Sequence, residues 1–274
     1  MKRITLMLLS LCVLTIANAQ TTKTAAPAKR TLKKVTEIEM PGDGGSNGGS
    51  VVFHPITKKY YIPMLGNASF PFAIFDAKGK LISEAEAGND LRGLWYNPKT
   101  KAIEGNCYDS GGWVRYTVDA KGEIPVDFEI RSSEKIFDNA MKQPTDQSLG
   151  VFNAKEDVVY FLYATGVAIF NMKGEEQKTI ELRKTKDGDA IFFDEENYTY
   201  NVTSVIYTGI PKAEIGILNI VDKKIEFYNK ATGVYTTEWK LPEDASVQER
   251  FNFAYANNMV WLFDKDNRKW VVYK

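Results

Sequence analysis

The chain has 274 residues, with 35 basic and 35 acidic side chains, one histidine and two cysteines. Balanced charge argues against a nucleic-acid-binding surface, which needs a basic excess. A single histidine leaves too few ligands for the common zinc sites and no basis for a His-centred catalytic site. We therefore expect no nucleic-acid partner, no metal and no cofactor.

The first twenty residues predict export. Lys2 and Arg3 precede an apolar run from residue 4 to residue 16, and Ala17-Asn18-Ala19 offers a small-residue cleavage site. These are the three parts of a secretory signal peptide. A transmembrane anchor would need about 20 apolar residues, and a lipoprotein is disfavoured because Cys12 lies in the middle of the run. We predict a signal peptide over residues 1–19, no transmembrane segment after cleavage, and a periplasmic or extracellular protein.

A tether is predicted after the signal peptide. Residues 20–32 are rich in Thr, Ala and Lys, contain Pro27 and show no apolar periodicity, which is the composition of a segment that cannot order itself. Residues 33–274 are rich in β-branched and aromatic residues and lack a long apolar stripe at helical spacing. We expect a disordered linker over residues 20–32 and a single all-β domain over residues 33–274.

Two signatures recur along this domain. The first is an apolar strand that runs into a turn, as in residues 51–58 (Val-Val-Phe-His-Pro-Ile-Thr-Lys) and residues 94–101 (Leu-Trp-Tyr-Asn-Pro-Lys-Thr-Lys). Residues 150–157 repeat this layout, residues 205–212 repeat it loosely, and residues 253–258 repeat it with a shorter turn. The match indicates one supersecondary unit copied several times.

The second signature is an apolar strand followed by a hairpin of the form Asp/Asn-x-Lys-Gly. It occurs at residues 72–79, 114–122 and 167–174. A glycine in this position is typical of a tight turn between antiparallel strands. We therefore interpret these aspartates as turn residues and not as ligands of a cation.

The repeats predict five four-stranded blades, at residues 49–86, 91–130, 148–182, 201–241 and 251–274. In the second blade, residues 124–130 are the expected fourth strand. The last blade has only three strands, and residues 35–41 resemble the blade-final strand at residues 235–242. We predict that the N-terminal strand completes the last blade and closes the ring, which removes open sheet edges. Residues 131–147 and 183–200 fall between blades, so six blades stay open as the alternative.

This pattern resembles the β-propeller superfamily over nearly the whole mature chain. The Gly-His and Trp-Asp signatures of WD40 repeats are missing, and the turns are only loosely similar to those of NHL and YVTN propellers. The resemblance implies a ring of blades around a central channel. It implies no activity, because propellers include hydrolases, lyases, lectins and scaffolds.

The loop before the innermost strand of each blade lines one mouth of a propeller channel. Seven residues before each turn position (His54, Asn97, Asn153, Thr208 and Ala256) stands a polar residue, and two arginines lie close by. We predict a ligand-binding mouth formed by Asn47, Asp90, Arg92, Asp146, Asn201, Glu249 and Arg250. The alternative is that loops before strands are polar because they are exposed.

Other candidate residues are assigned structural roles. His54 occupies a repeated turn position, and Cys107, the only cysteine left after signal cleavage, is expected to be a buried, inert thiol. Trp95 and Trp113 are interpreted as packing residues. The glycine-rich segment at residues 42–49 is followed by a strand, whereas phosphate-binding glycine loops are followed by a helix, so we predict a flexible passage into the first blade.

Two functions remain open from the sequence. The first is a non-catalytic, monomeric binding or scaffold propeller of the bacterial cell envelope, which meets a protein, peptide or glycan at its rim. The second is a carbohydrate-active enzyme, which would need two carboxyl groups about 5–9.5 Å apart in the channel. We favour binding and assign no catalytic residue, because no motif supports such a pair.

Overall fold

The computed structural model describes residues 25–274 apart from residues 46, 125, 128, 129, 132, 133 and 195. The predicted signal peptide at residues 1–19 and the first part of the linker lie outside the described residues. Every regular element in the described part is a strand. No helix there could cross a membrane.

The strands are short, as the turn spacing predicts. In chain order they are β1 Arg30–Thr31, β2 Lys34–Glu39, β3 Asn47–Gly48, β4 Val52–His54, β5 Lys59–Leu65, β6 Pro71–Asp76, β7 Leu81–Glu86, β8 Leu91–Asn97, β9 Ala102–Cys107, β10 Trp113–Tyr116, β11 Val126–Asp127, β12 Ile130–Arg131, β13 Glu134–Phe137, β14 Val151–Asn153, β15 Val158–Tyr163, β16 Gly166–Asn171, β17 Glu176–Glu181, β18 Ile206–Tyr207, β19 Ile215–Asn219, β20 Lys224–Tyr228, β21 Tyr235–Lys240, β22 Phe253–Ala256, β23 Met259–Asp264 and β24 Lys269–Tyr273.

These strands form five small sheets arranged in a ring, so the five-bladed propeller is confirmed and the six-bladed alternative is wrong. The antiparallel core of each blade is β4–β7 in blade 1, β8–β10 with β13 in blade 2, β14–β17 in blade 3, β18–β21 in blade 4, and β22–β24 with β2 in blade 5. The first strand of each set is innermost and lines the channel.

The blades are held together by apolar clusters between neighbours. Successive side chains of a strand point to opposite faces, and in β5 Tyr60 and Ile62 pack towards blade 5 while Tyr61 packs towards blade 2. The other junctions of the ring have clusters of the same kind. Both faces of a middle strand are therefore buried, which explains the nearly continuous apolar runs in the sequence.

The N-terminal strand closes the ring, as predicted. β2 pairs antiparallel with β24, and Ile38 lies opposite Trp270. Ile38 and Met40 are buried in the cluster between blades 5 and 1. Hydrogen bonds of residues far apart in sequence thus join the two ends of the chain.

The predicted linker differs from the structure at its C-terminal end. Arg30 and Thr31 form β1, which adds a parallel fifth strand to blade 4 beside Trp239 and Lys240. Leu32 is buried in the cluster between blades 4 and 5. The composition of residues 20–32 concealed this because one buried leucine and two backbone-paired residues give no periodic signal.

The fourth strand of blade 2 was also predicted in the wrong place. Residues 124–130 were expected to form it, but the strand is β13 at Glu134–Phe137, which pairs with β10. The chain after the Asp119–Gly122 turn crosses to blade 1, where the hydroxyl of Tyr61 donates to the carbonyl of Gly122 at 2.8 Å. There β12 lies parallel to β7.

The second segment between blades, which spans residues 182–205 and is called the insertion below, adds no blade. Its Phe193 and Tyr200 are buried in the cluster between blades 3 and 4, while Phe192 is 59% exposed. The backbone N–H of Phe193 donates to the carbonyl of Ala164 at 2.7 Å. The insertion is thus anchored to blade 3 and presents an aromatic side chain to solvent.

The Asp/Asn-x-Lys-Gly segments are turns, as predicted. The Oδ1 atom of Asp76 accepts hydrogen bonds from the backbone N–H groups of Lys78 and Lys80, and Asn171 does the same for its own turn. Gly79 has a φ of +83°, a conformation that favours glycine. These side-chain oxygens are therefore used by the turns themselves.

Candidate functional site

The channel has two different ends. The rim mouth is formed by the loops that precede the innermost strands, and the seven predicted residues belong to these loops or to the strand starts beside them. The turn mouth is formed by the first hairpin turns, at His54, Asn97, Asn153, Thr208 and residues 256–258. Six residues of extended chain separate Asn47 from Phe53, so the two mouths lie about 20 Å apart.

Arg92 is the central group of the rim mouth. Its Nη1 donates to Asp90 Oδ1 at 2.6 Å, its Nε donates to Gln147 at 3.1 Å, and its guanidinium lies over the ring of Tyr108 at 4.5 Å. The side chain is only 6% exposed. Nη2 makes no hydrogen bond with any residue that the structure describes, so two N–H donors of a largely buried cation are available to a ligand.

Asn201 is placed under the rim mouth and not in it. Its Nδ2 donates to the carbonyls of Gln248 and Phe251, and its Oδ1 accepts from the N–H groups of Thr203 and Ser204. The side chain is fully buried. Every donor and acceptor of this amide is used, so Asn201 ties two loops together and offers nothing to a ligand.

The other predicted residues lie on the same rim with different surroundings. Asn47 donates to the side chain of Gln248 at 3.1 Å. Asp146 is partly exposed and Glu249 is exposed, and neither carboxylate has a hydrogen bond or ion pair within the described part of the chain. Arg250 lines a cavity together with Asp146. The structure thus pairs Asp90 with Arg92 and places Asp146 and Arg250 on the wall of one cavity, and their role in binding stays a prediction.

That cavity, called the rim pocket below, has a volume of about 420 Å³. It opens between the loop before β14 and the insertion. Its walls combine the exposed rings of Phe192 and Tyr163 with charged and hydroxyl side chains, namely Asp146, Asp194, Arg250, Thr145 and Thr203. Phe192 and Tyr163 were not predicted, because neither belongs to the repeated positions.

A second cavity of about 300 Å³ fills the channel towards the turn mouth. Each innermost strand contributes one aromatic side chain, immediately before its turn position. All five are partly exposed in the cavity wall: Phe53, Tyr96, Phe152, Tyr207 and Tyr255. The sequence contains a signal for this cavity, since an aromatic residue precedes the turn position in every aligned repeat. The polar residues of the pre-strand loops do not indicate it.

The innermost strands of blades 2 and 3 pack closely near the rim. A side chain at Gly93 would place its Cβ 2.3 Å from the backbone N of Gly150, so the innermost strands of blades 2 and 3 touch there. Both N–H groups donate to Oδ1 of the buried Asn106 at 3.0 Å. The two cavities share no lining residue, so a ligand in one does not touch the wall of the other.

The residues assigned structural roles keep them. Nδ1 of His54 accepts from the backbone N–H of Thr57 at 3.2 Å, and burial lowers the pKa of this imidazole. Cys107 is buried, and burial raises the pKa of its thiol to about 12, which makes it inert. Trp95 and Trp113 pack edge to face between blades 2 and 3. The described residues contain no cluster of metal-ligating side chains.

The glycine-rich segment at residues 42–49 is held by the side chain of an arginine. The guanidinium of Arg268 donates to the carbonyls of Gly44 at 3.0 Å and Gly45 at 2.5 Å, with longer contacts to Pro41 and Asp43. A phosphate site needs converging N–H groups, whereas here carbonyl oxygens converge. The segment is thus held by Arg268, which corrects the expectation of a flexible passage.

Comparison with known proteins supports the fold alone. No protein-family model matches the chain, and no curated protein matches it. Among solved structures, the glutaminyl cyclase of Myxococcus xanthus superposes with a TM-score of 0.56 over 91% of this chain and 98% of that chain, at 8% identity. A functionally unknown protein from Desulfotomaculum acetoxidans aligns with a TM-score of 0.45 at 14% identity, over 71% and 73% of the two chains.

Proposed function

We propose that the protein is an exported, non-catalytic binding propeller of the bacterial cell envelope, and that it binds an oligosaccharide in the rim pocket. The observation that carries the proposal is the pairing of two exposed aromatic rings, Phe192 and Tyr163, with polar side chains in one cavity of about 420 Å³. Cavities of this size suit small ligands. A protein partner would instead need a wider contact surface.

The lining matches the two sides of a sugar. The C–H-rich face of a pyranose packs against an aromatic ring, and its hydroxyl groups pair with carboxylates, amides and guanidinium groups. Asp146 supplies acceptors without a partner in the described part of the chain, and Arg250 places a cation on the same wall. Gln147 links this pocket to Arg92, so the binding surface extends from the pocket to the rim mouth.

The enzymatic alternative receives less support from the same residues. A glycosidase needs one carboxyl group as acid and another as base or nucleophile. Asp90 is held by Arg92 and also accepts from the backbone N–H of Gly66 at 3.1 Å, so it serves the rim itself. We therefore propose binding and assign no catalytic residue.

Titration with a panel of neutral and acidic oligosaccharides, followed by calorimetry, tests the proposal. We expect Phe192→Ala to lower affinity about tenfold or more, since it removes a stacking surface. Tyr198→Ala is the matched control, because Tyr198 is a 68% exposed aromatic of the same insertion that does not line the pocket. Equal affinities for the two variants, or no saturable binding of any oligosaccharide, would contradict the proposal.

Export has a separate test. We expect the full chain, expressed in a Gram-negative host, to be recovered outside the cytoplasm as a monomer with Gln20 as its first residue. Mass spectrometry of the purified protein measures that terminus. An intact Met1 in the cytoplasmic fraction would contradict the exported location without affecting the rim pocket.

A further inference from the structure

The turn mouth carries a second feature that the oligosaccharide site does not use. The cavity of about 300 Å³ is walled by the five aromatic side chains and by aliphatic residues such as Val52, Leu94 and Ile206. None of its lining residues is charged. A ligand held there must therefore present an apolar body, because a buried polar group without a partner is costly.

The aromatic walls are fixed in position. Phe53 also packs against the cluster between blades 5 and 1, Tyr96 against that between blades 1 and 2, and Tyr207 against that between blades 3 and 4. Phe152 and Tyr255 are held in the same way at the remaining junctions. A cavity whose walls are already ordered loses little entropy on binding, which is the condition for a small rigid ligand.

Charge around the opening favours an anion. Nζ of Lys58 lies 5.8 Å from the ring centre of Phe53. The acids of the blade 3 turn are already paired, Asp157 with Lys99 and Glu156 with Lys230. Further lysines in the same turns have no carboxylate partner within the described residues, namely Lys101, Lys155 and Lys212. Glu214 lies beside the blade 4 turn and accepts from the backbone N–H groups of Lys212 and Lys230. The lysines without an ion pair still outnumber this carboxylate, so the border of the cavity is positive although its wall is neutral.

We propose that the turn mouth binds a small aromatic anion, a flat ring system bearing a carboxylate or sulfonate. The ring enters the channel between the five aromatic side chains, and the anionic group stays at the border near Lys58 and Lys101. This site is distinct from the rim pocket, because the two cavities have no lining residue in common.

Calorimetric titration of the mature chain with 2-naphthoate tests the proposal, with (2-naphthylmethyl)trimethylammonium as the cationic counterpart. We expect saturable binding of 2-naphthoate and binding of the cation at least tenfold weaker. Ala154 lines the cavity and is exposed, so Ala154→Trp should block the opening and lower affinity tenfold or more. Ala120→Trp is the matched control, in an exposed turn that does not line the cavity.

Charge reversal gives a second test that does not depend on filling the cavity. The double variant Lys58→Glu/Lys101→Glu should lower 2-naphthoate affinity about tenfold, by loss of border charge, and Lys78→Glu/Lys121→Glu, at exposed turn positions away from the cavity, should not. All four lysines are exposed, so the variants should fold, and melting temperatures check this. Absence of saturable binding, equal affinity for the cation, or insensitivity to both Ala154→Trp and the Lys58/Lys101 reversal would overturn the proposal.

The two binding sites can fail separately. Phe192→Ala should leave 2-naphthoate affinity unchanged, while Ala154→Trp should leave oligosaccharide affinity unchanged. Loss of naphthoate binding in Phe192→Ala would show that the anion occupies the rim pocket, and would also overturn the assignment of the turn mouth.

Discussion

The two ends of the channel are built by different means. At the turn mouth every blade contributes the same position, so five aromatic side chains are placed by the repeated backbone alone. At the rim mouth each loop differs, and side chains join them: Arg92 to Gln147, Asn47 to Gln248, and Asn201 to the carbonyl of Phe251. The repeat explains one end, and contacts between irregular loops explain the other.

This difference explains why polar residues at equivalent rim positions have unequal roles. Asn201 and Arg92 are buried and hold loops in place, whereas Asp146 and Glu249 keep carboxylates that have no partner in the described part of the chain. Position in the repeat does not separate these roles. Burial and hydrogen bonding do, and each prediction below tests one consequence of that separation.

The largest expected loss of stability should affect both mouths equally, because both depend on a closed ring. Deleting residues 33–41 removes β2 and the buried Ile38 and Met40, and we expect a loss of about 3–6 kcal/mol of unfolding free energy, mostly from apolar burial. Urea unfolding measures it. Deleting residues 21–29 is the control, since the polar contacts that it removes in the described part are those of the exposed Lys29 with Glu238 and with the ring of Tyr235. Equal midpoints for the two truncations would show that the ring does not depend on β2.

The next largest expected effect is a difference in stability between alanine variants of two rim asparagines, Asn201 and Asn47. Asn201→Ala leaves the carbonyl of Gln248 and the N–H groups of Thr203 and Ser204 without partners, while the carbonyl of Phe251 keeps only the Ser204 hydroxyl. We expect a cost of about 2–4 kcal/mol. Asn47→Ala removes two partly buried hydrogen bonds, one to Gln248 and one from the neighbouring N–H of Gly48, and should cost about 1 kcal/mol. Urea unfolding of both variants is the measurement. Similar costs would mean that rim asparagines are equivalent after all.

The repeats predicted the fold well because each blade carries the same turn chemistry and the same two-sided apolar strands. Blade number, ring closure and the turn role of the Asp/Asn-x-Lys-Gly segments follow from that pattern. The errors lie where the chain leaves it: Leu32 and β1 in the linker, β13 in place of residues 124–130, and Arg268 under the glycine-rich segment. These are pairings between distant residues, which no local pattern encodes.

The candidate site was only partly predictable for the same reason. The spacing from the turns locates loops on the rim. It does not indicate that Asn201 is buried or that the guanidinium of Arg92 lies over the ring of Tyr108. Phe192 belongs to the insertion, so no repeat position marks it. The five aromatic residues of the turn mouth were visible in the aligned repeats, and the structure supplied the missing fact that they face one cavity.

A smaller difference in stability is expected between alanine variants of Asp90 and Asp146, two aspartates at the same position of the repeat. Asp90→Ala leaves the Arg92 guanidinium, only 6% exposed, without its anionic partner, and we expect a loss of about 1–3 kcal/mol. Asp146→Ala should change stability by less than about 0.5 kcal/mol while lowering oligosaccharide affinity. Thermal unfolding and calorimetry measure the two quantities. A destabilised Asp146→Ala variant would assign Asp146 to the framework and remove it from the site.

The smallest expected change in stability concerns His54 at the turn mouth, where Asn97 and Asn153 hold the same repeat position. Each asparagine accepts from the backbone N–H two residues on, and His54 accepts from that of Thr57, three residues on. His54→Asn should therefore leave stability near pH 7.5 within about 0.5 kcal/mol of the wild type. Burial lowers the folded pKa of His54, and the unfolded chain has a pKa of about 6.5. As pH falls below that value, His54 becomes protonated in the unfolded chain while it stays neutral in the folded chain. The unfolded state is thereby favoured, so the wild type loses stability.

The loss of stability at low pH that His54 causes should be absent from His54→Asn, because His54 is the only histidine of the chain. Relative to the variant, the wild type should lose up to about 1.4 kcal/mol between pH 7.5 and pH 5.5. Urea unfolding at both pH values measures it. Parallel losses in the two proteins would show that the imidazole accepts its proton without opening the turn. A variant already unstable at pH 7.5 would show that blade 1 does not share the turn of blades 2 and 3, and that the turn mouth is less regular than its five aromatic side chains indicate.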